Sequence, residues 1–350
     1  MIEKTRDLTI DILKGIGIIS VVVGHSIVQE ISENVFLNQI YNFIYIYHIA
    51  VFFYIAGYLF KFQFQYSFWQ YLWRKINSLY FPFLLVGLSF LLIDILRGYS
   101  LQQLISESIS FIRFWPGNSY SGAMWFLPCL FITEILFYVI EKTIFKFPDF
   151  IQIGIYIFFS LLGFLFVKCN FIFYNIDLVF LLLPVMKIGL YVSNNNIHLI
   201  IKSINIRLIS VLVFLLSALI FLINFFTQQK IDFVNRQLYG LIGLYPMISL
   251  GLILCVLSAV LIEKNTYLGK VLSVCGKSSF YIMCYHIFVF KLIDLLYFKI
   301  YAKLIYDVKT LYQSPYSYSE LRFIYIFLGT VIPVVLSVII KNIKKKIRKN

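Results

Sequence analysis

The sequence predicts an all-α, polytopic integral membrane protein with about ten transmembrane helices and both termini in the cytoplasm. Three observations carry that reading. Of the 350 residues, 61% are hydrophobic and 13% are charged, where a soluble domain holds about 25% charged residues. Apolar stretches long enough to cross a bilayer, about 20 residues each, recur ten times, near 8–28, 40–60, 78–96, 124–141, 150–167, 177–193, 208–226, 238–262, 279–298 and 323–340. With the N-terminus placed inside, 18 of the 30 lysines and arginines fall on cytoplasmic segments and 9 on outside ones, the asymmetry of the positive-inside rule. Residues 1–350 are expected to form one transmembrane domain with no appended soluble domain.

The first helix is the most unusual. It carries Asp11, Lys14 and His25 among Ile, Leu, Val and Gly, with Arg6 and Asp7 just before it. A charge inside a bilayer costs several kcal/mol unless it finds a partner or a wet cavity, so such residues mark a site by default. Lys14 and His25 are eleven residues apart, about three turns, and project from nearly one face roughly 16 Å apart. Asp11 lies one turn before Lys14 on that face. Asp11 and Lys14 read either as a mutually neutralising pair or as part of a functional stripe in which Lys14, with Arg6, attracts an anion such as a phosphate. His25 can accept and return a proton near neutral pH, the central need of acyl transfer to a hydroxyl.

The second helix places His48 in an apolar run, with Ala56 and Gly57 allowing close helix packing. Before the third, Arg74 and Lys75 read as topology signals or as contacts to a phosphorylated cosubstrate. The fourth opens on Trp125 and carries Glu134 near mid-membrane, where it needs a partner or a wet cavity. The sixth is interrupted by Pro184 and Lys187, and the ninth carries His286. The tenth runs into a C-terminus in which six of ten residues are basic, a flank for anionic headgroups. The longest outside loops, about 97–122 and 299–322, are expected to line an extracytoplasmic opening. The first holds an amphipathic piece, Leu101 to Phe114, followed by the turn-rich Trp115-Pro116-Gly117-Asn118-Ser119.

The net charge of +14 does not point to nucleic acid, because its placement follows membrane topology and no soluble domain presents a basic face. The five cysteines show no CxxC pairing and read as small hydrophobes. Three histidines in helices raise the question of a metal, but there is no HExxH and no carboxylate at ligand spacing, so none is expected. The first segment lacks the A-x-A-like site of a cleavable signal peptide. No internal repeat of the transporter kind is visible.

Together these residues resemble the membrane-bound acyltransferase 3 family. Arg6, Asp11, Lys14-Gly15 and His25 match its N-terminal pattern. Tyr47 to Tyr58 is similar to the family's second helix at His48, Phe52, Phe53, Gly57 and Tyr58, with Ala56 where serine is usual. Met124-Trp125-Phe126-Leu127-Pro128-Cys129-Leu130 resembles the branch that includes fucose 4-O-acetylase-like proteins, and Ser279 to His286 resembles the family's late segment. The resemblance spans roughly residues 6–290 and implies ten helices. It implies transfer of an acyl group, usually acetyl from acetyl-CoA, to a hydroxyl of a cell-surface glycan or its lipid-linked precursor, in the bacterial plasma membrane.

On that basis the sites can be assigned as expectations. His25 would be general base or transient acyl carrier, with Asp11 as its catalytic companion. Arg6, Lys14 and Arg74 would hold the acyl-CoA. His48, Trp125, Glu134 and His286 would meet the glycan or sugar acceptor. Membrane lipid is the remaining partner. Two other readings are a transporter or flippase, with the charged stripe along a permeation path, and a pathway scaffold without activity.

Overall fold

The computed structural model describes residues 7–114, 122–301 and 319–347. Among them there are helices and turns and no named strand. In chain order the helices are α1 (Leu8–Ile27), α2 (Val35–Tyr45), α3 (Ala50–Phe60), α4 (Phe68–Lys75), α5 (Phe81–Leu96), α6 (Leu101–Ile112), α7 (Phe126–Ile144) and α8 (Asp149–Lys168). They continue as α9 (Ile176–Asn194), α10 (Ile197–Ser203), α11 (Ile206–Thr227), α12 (Gly240–Glu263), α13 (Thr266–Lys277), α14 (Ser279–Tyr301) and α15 (Arg322–Ile347).

Ten helical segments among the described residues are long and apolar enough to cross a membrane. The protein is therefore a polytopic all-α membrane protein. The start of α1 and the end of α15 emerge at one end of the bundle, here the basic face.

Two spans differ from the sequence reading. The second is broken: α2 stops at Tyr45 and α3 starts at Ala50, and the amides of Tyr47 and His48 both bond the Ile44 carbonyl at 3.1 Å. β-Branched Ile44, Ile46 and Ile49 lower helix propensity there, and the His48 ring competes for the same carbonyl. The third span begins at Phe68 rather than near 78. A capping box of Ser67 and Gln70 starts it, and one π-helical turn, Ile76–Tyr80, joins α4 to α5.

Glycines set the helix spacing that builds the interior. A Cβ at Gly57 would collide with the Met186 carbonyl, and one at Gly189 with the Tyr54 carbonyl, so α3 and α9 touch backbone to backbone. Gly15 against Leu272 and Gly276 against Asp11 do the same for α1 and α13. Without a strong hydrophobic drive between helices in lipid, such close van der Waals approach is a main source of association. Any side chain at these positions would separate the helices.

Buried charges on the spans are paired, as a low-dielectric interior demands. Lys187 lies 2.8 Å from Glu141 and 2.7 Å from the Gln152 amide oxygen, and Tyr156 donates to the same carboxylate at 2.6 Å. That network accounts for the polar interruption of the sixth span. Arg97 and Asp94 form a second pair at 2.9 Å.

Candidate active site

Two chambers lie along α1. On the basic-face side, a cavity of about 360 Å³ is lined by Lys14, Lys75, Ser78, Phe126, Glu134 and Met283, among others. It adjoins a cavity of about 430 Å³ through Lys75 and Ser78, with Arg74 on the wall. Lys14 comes from α1 and is half-buried. Lys75, at the end of α4, is buried and places its ammonium 2.5 Å from Glu134 Oε1. Glu134 thus finds a cation and borders a cavity. Its second oxygen, Oε2, has no hydrogen-bond partner among the described residues.

Asp11 is buried at the α1–α13 crossing, with Oδ2 3.7 Å from the Lys277 ammonium. It is one turn from Lys14 and off the chamber wall. Arg6 lies outside the described residues, as do the Trp115 to Ser119 turn and most of the 299–322 loop.

Toward the opposite face, a cavity of about 30 Å³ is lined by His25, His48, Tyr45, Trp125, Asp232 and Met283, among others. That is room for a water or two. His25 is near the end of α1. His48 sits at the break between α2 and α3, and Trp125 in the 3₁₀ turn that opens α7. The His25 ring is 5.2 Å, centroid to centroid, from that of His286 on α14. Three of the four histidines therefore converge here.

The two flanking imidazoles have assignable tautomers. His48 Nδ1 is 3.3 Å from the Ile44 carbonyl and His286 Nδ1 is 2.7 Å from the Ile282 carbonyl. A carbonyl only accepts, so each Nδ1 carries the proton and each Nε2 offers a lone pair in the neutral ring. His286 is fully buried, and its Nε2 has no partner among the described residues. No three His, Cys or acidic side chains among those residues form a metal-binding group.

The residues singled out on the sequence thus divide between the chambers. Lys14 and Glu134 line the first, with Arg74 on the cavity adjoining it; His25, His48 and Trp125 line the second, with His286 beside His25. Met283 belongs to both walls.

Sequence reasoning missed Asp232, in the loop between α11 and α12. Its carboxylate accepts from the Asn235 amide N–H at 3.0 Å, the Asn235 side chain at 2.8 Å and the Tyr41 hydroxyl at 3.2 Å. The Asp-x-x-Asn spacing of a side-chain-closed turn was its only signal. Lys75, read with Arg74 on the sequence as a topology signal or a cosubstrate contact, is on the chamber wall and paired with Glu134, a partner the sequence did not name.

The chemistry this arrangement allows is specific. Cations and an apolar wall at one end can hold an extended anionic molecule. Imidazoles in a nearly water-free space at the other can move a proton. A sequence model of the acyltransferase 3 family, described as an acyltransferase domain, matches residues 7–341. No curated protein and no solved structure matches the chain.

Proposed function

The chain belongs to the acyltransferase 3 family and is a membrane acyltransferase, and on that premise we propose that it moves acetyl from acetyl-CoA to a hydroxyl of a cell-surface glycan or its lipid-linked precursor. One observation carries the reading: a cation-lined chamber and a histidine-lined chamber meet at Met283, along one helix that bears Lys14 and His25. The basic residues toward the N-terminal end of α1 favour the cytoplasm as the donor's side. The Met124 to Leu130 segment supports a place in the fucose 4-O-acetylase-like branch, and the membrane would be a bacterial plasma membrane.

Lys14, Lys75 and Arg74 supply positive charge for the CoA phosphates, with Arg6 as a further candidate. The apolar wall of the first chamber suits the pantetheine arm. His25 takes the proton of the attacking hydroxyl as its oxygen adds to the thioester carbonyl. The C–S bond then breaks, the proton passes to the leaving sulfur, and an ester and free CoA result. In the stepwise variant the His25 nitrogen takes the acyl group as the C–S bond breaks and CoA leaves as the thiol with the imidazole proton; the hydroxyl oxygen then forms the ester as the N–C bond breaks, and its proton returns to the imidazole. His48 and His286 hold lone pairs close to this centre and orient the proton's path. Asp11 acts on α1 through its contact with Lys277.

The test is acetyl transfer in cells and in vesicles, read by NMR of glycan O-acetyl groups. His25→Ala is expected to lower the rate by about 10²- to 10⁴-fold, the usual worth of a general base, while the protein still inserts. Transfer at the wild-type rate would sink the mechanism. Solute flux without thioester consumption would favour a transporter instead.

A further inference from the structure

A further cavity opens on the face away from the termini, outside both chambers. It encloses about 620 Å³ between the end of α6, the linker from α8 to α9, and the loop after α11. That volume falls within the roughly 300–1,000 Å³ of ordinary small-ligand sites. Its walls brace one another. The Tyr174 hydroxyl donates to the Arg113 carbonyl at 3.0 Å. Arg236 donates to the Asp177 carboxylate at 3.0 Å, to Asn175 Oδ1 at 2.7 Å and to the Val234 carbonyl at 2.9 Å.

Two groups in this braced wall are left over. Asn175 is 4% exposed, and with Oδ1 committed to Arg236 its Nδ2 has no partner among the described residues. A buried donor left unsatisfied costs about 1–3 kcal/mol, which a ligand oxygen would recover. Arg113 is exposed at the end of α6, and its guanidinium makes no ion pair or hydrogen bond among the described residues. Both groups are donors. What they ask of a ligand is oxygen, and Arg113 favours an anionic one. Phe173, 69% exposed, and Tyr174 add aromatic faces suited to the C–H surface of a sugar ring.

The cavity is tied to the histidine chamber by one loop. Arg236 lines the first, while Asp232, Phe233 and Val234 line the second. We propose that this cavity is an acceptor subsite for a saccharide carrying a carboxylate or phosphate, held by Arg113 and Asn175 while a neighbouring part of the same molecule reaches His25. The proposal rests on the reading of the acceptor as a glycan. The same oxyanion chemistry could come from a phospholipid headgroup, and the experiment separates the two.

The full chain is placed in phosphatidylcholine nanodiscs without any acyl donor. Binding of glucuronic acid, glucose 1-phosphate and neutral glucose is measured by saturation-transfer NMR. The two acidic probes are expected to bind and glucose to bind at least about tenfold more weakly. Arg113→Ala and Asn175→Asp are each expected to weaken the acidic probes about tenfold, with Arg113→Lys partly restoring them. Asn175→Asp keeps the oxygen that Arg236 needs, so the wall stays braced while the donor is lost; thermal unfolding checks this. His25→Ala is expected to bind as the wild type does, so a failed transfer reaction does not decide this result. Equal binding of glucose and glucuronic acid would overturn the proposal, as would acidic-probe binding untouched by both substitutions. So would a co-purifying phospholipid that depends on Arg113 and is not displaced by the probes.

Discussion

The two chambers along α1 are built on opposite principles. The one nearer the basic face is wide, about 360 Å³ with a further 430 Å³ beside it, and its polar wall includes the full charges of Lys14, Lys75, Glu134 and Arg74. The histidine chamber holds about 30 Å³, and its wall is imidazole, aromatic ring and one anchored carboxylate. Cations on long side chains around a wide cavity attract many anions and position none of them sharply. Three packed imidazoles, two of them bonded to backbone carbonyls, do the reverse, with little room for competing water. The difference teaches a division of labour. Affinity for a charged cosubstrate can reside where solvent screens and volume is free, while the step that needs sub-ångström placement resides where volume is scarce.

The strongest way to break this picture is to close the shared wall. Met283 is 3% exposed and faces both chambers. Met283→Trp adds bulk that 30 Å³ cannot absorb, and overpacking of this kind costs about 1–3 kcal/mol of stability, a loss the fold is expected to survive. Acyl transfer is expected to fall at least about hundredfold, with CoA binding within a few-fold of wild type. Calorimetric titration with CoA, beside the transfer assay, reads both quantities. Undiminished transfer would mean that the chambers do not communicate at Met283.

Next in size is the donor side alone. Lys14→Ala removes a cation from the wide chamber and leaves the histidines untouched. A lost charge-assisted contact is worth about 1.5–3 kcal/mol, so the KM for acetyl-CoA is expected to rise about tenfold or more, with kcat largely kept. A drop in kcat at unchanged KM would place Lys14 in the chemistry instead. Smaller still is Glu134→Gln. It keeps an acceptor for Lys75 but removes the negative charge from the wall, so CoA affinity is expected to rise a few-fold at low ionic strength. The gain should vanish near 1 M salt, where the screening length is about 3 Å. A salt-independent change would point to altered packing rather than charge.

Much of this was legible in the chain. Hydropathy alone yields ten spans, because a bilayer forces each to be long and apolar, and the eleven-residue spacing of Lys14 and His25 fixes their relative depth on one helix. Depth, however, is not azimuth. Nothing local says that Glu134 faces Lys75 rather than His25, or that Gly57 meets Met186 and Gly15 meets α13. Those pairings are set by which helices pack, through backbone contacts far apart in sequence. The break beside His48 and the role of Asp232 escaped for a different reason: each rests on a short-range side-chain bond, to the Ile44 carbonyl and from the Asn235 N–H, that leaves no mark on hydropathy.

The smallest expected effect lies at the basic face, outside the spans, where α10 closes over the ends of α1 and α12. His198 Nδ1 is 2.9 Å from the Tyr58 hydroxyl, and Lys202 bridges Asp7 at 3.3 Å and Glu263 at 3.0 Å. Burial holds the His198 imidazole below its usual value; Asp7 and Glu263 oppose that, while Lys202 and Lys61 reinforce it. A base whose pKa is depressed on folding is bound neutral, so between the folded and unfolded values the unfolded chain takes up more protons. The contribution of His198 is therefore fully present above about pH 6.5 and declines as pH falls toward the folded value. In nanodiscs, thermal stability is expected to drop more between pH 7.5 and 5.5 for wild type than for His198→Gln. Because the ring is only half-buried, the difference should amount to no more than about 1 kcal/mol. Parallel pH slopes for the two proteins would show that the clasp does not sense this proton.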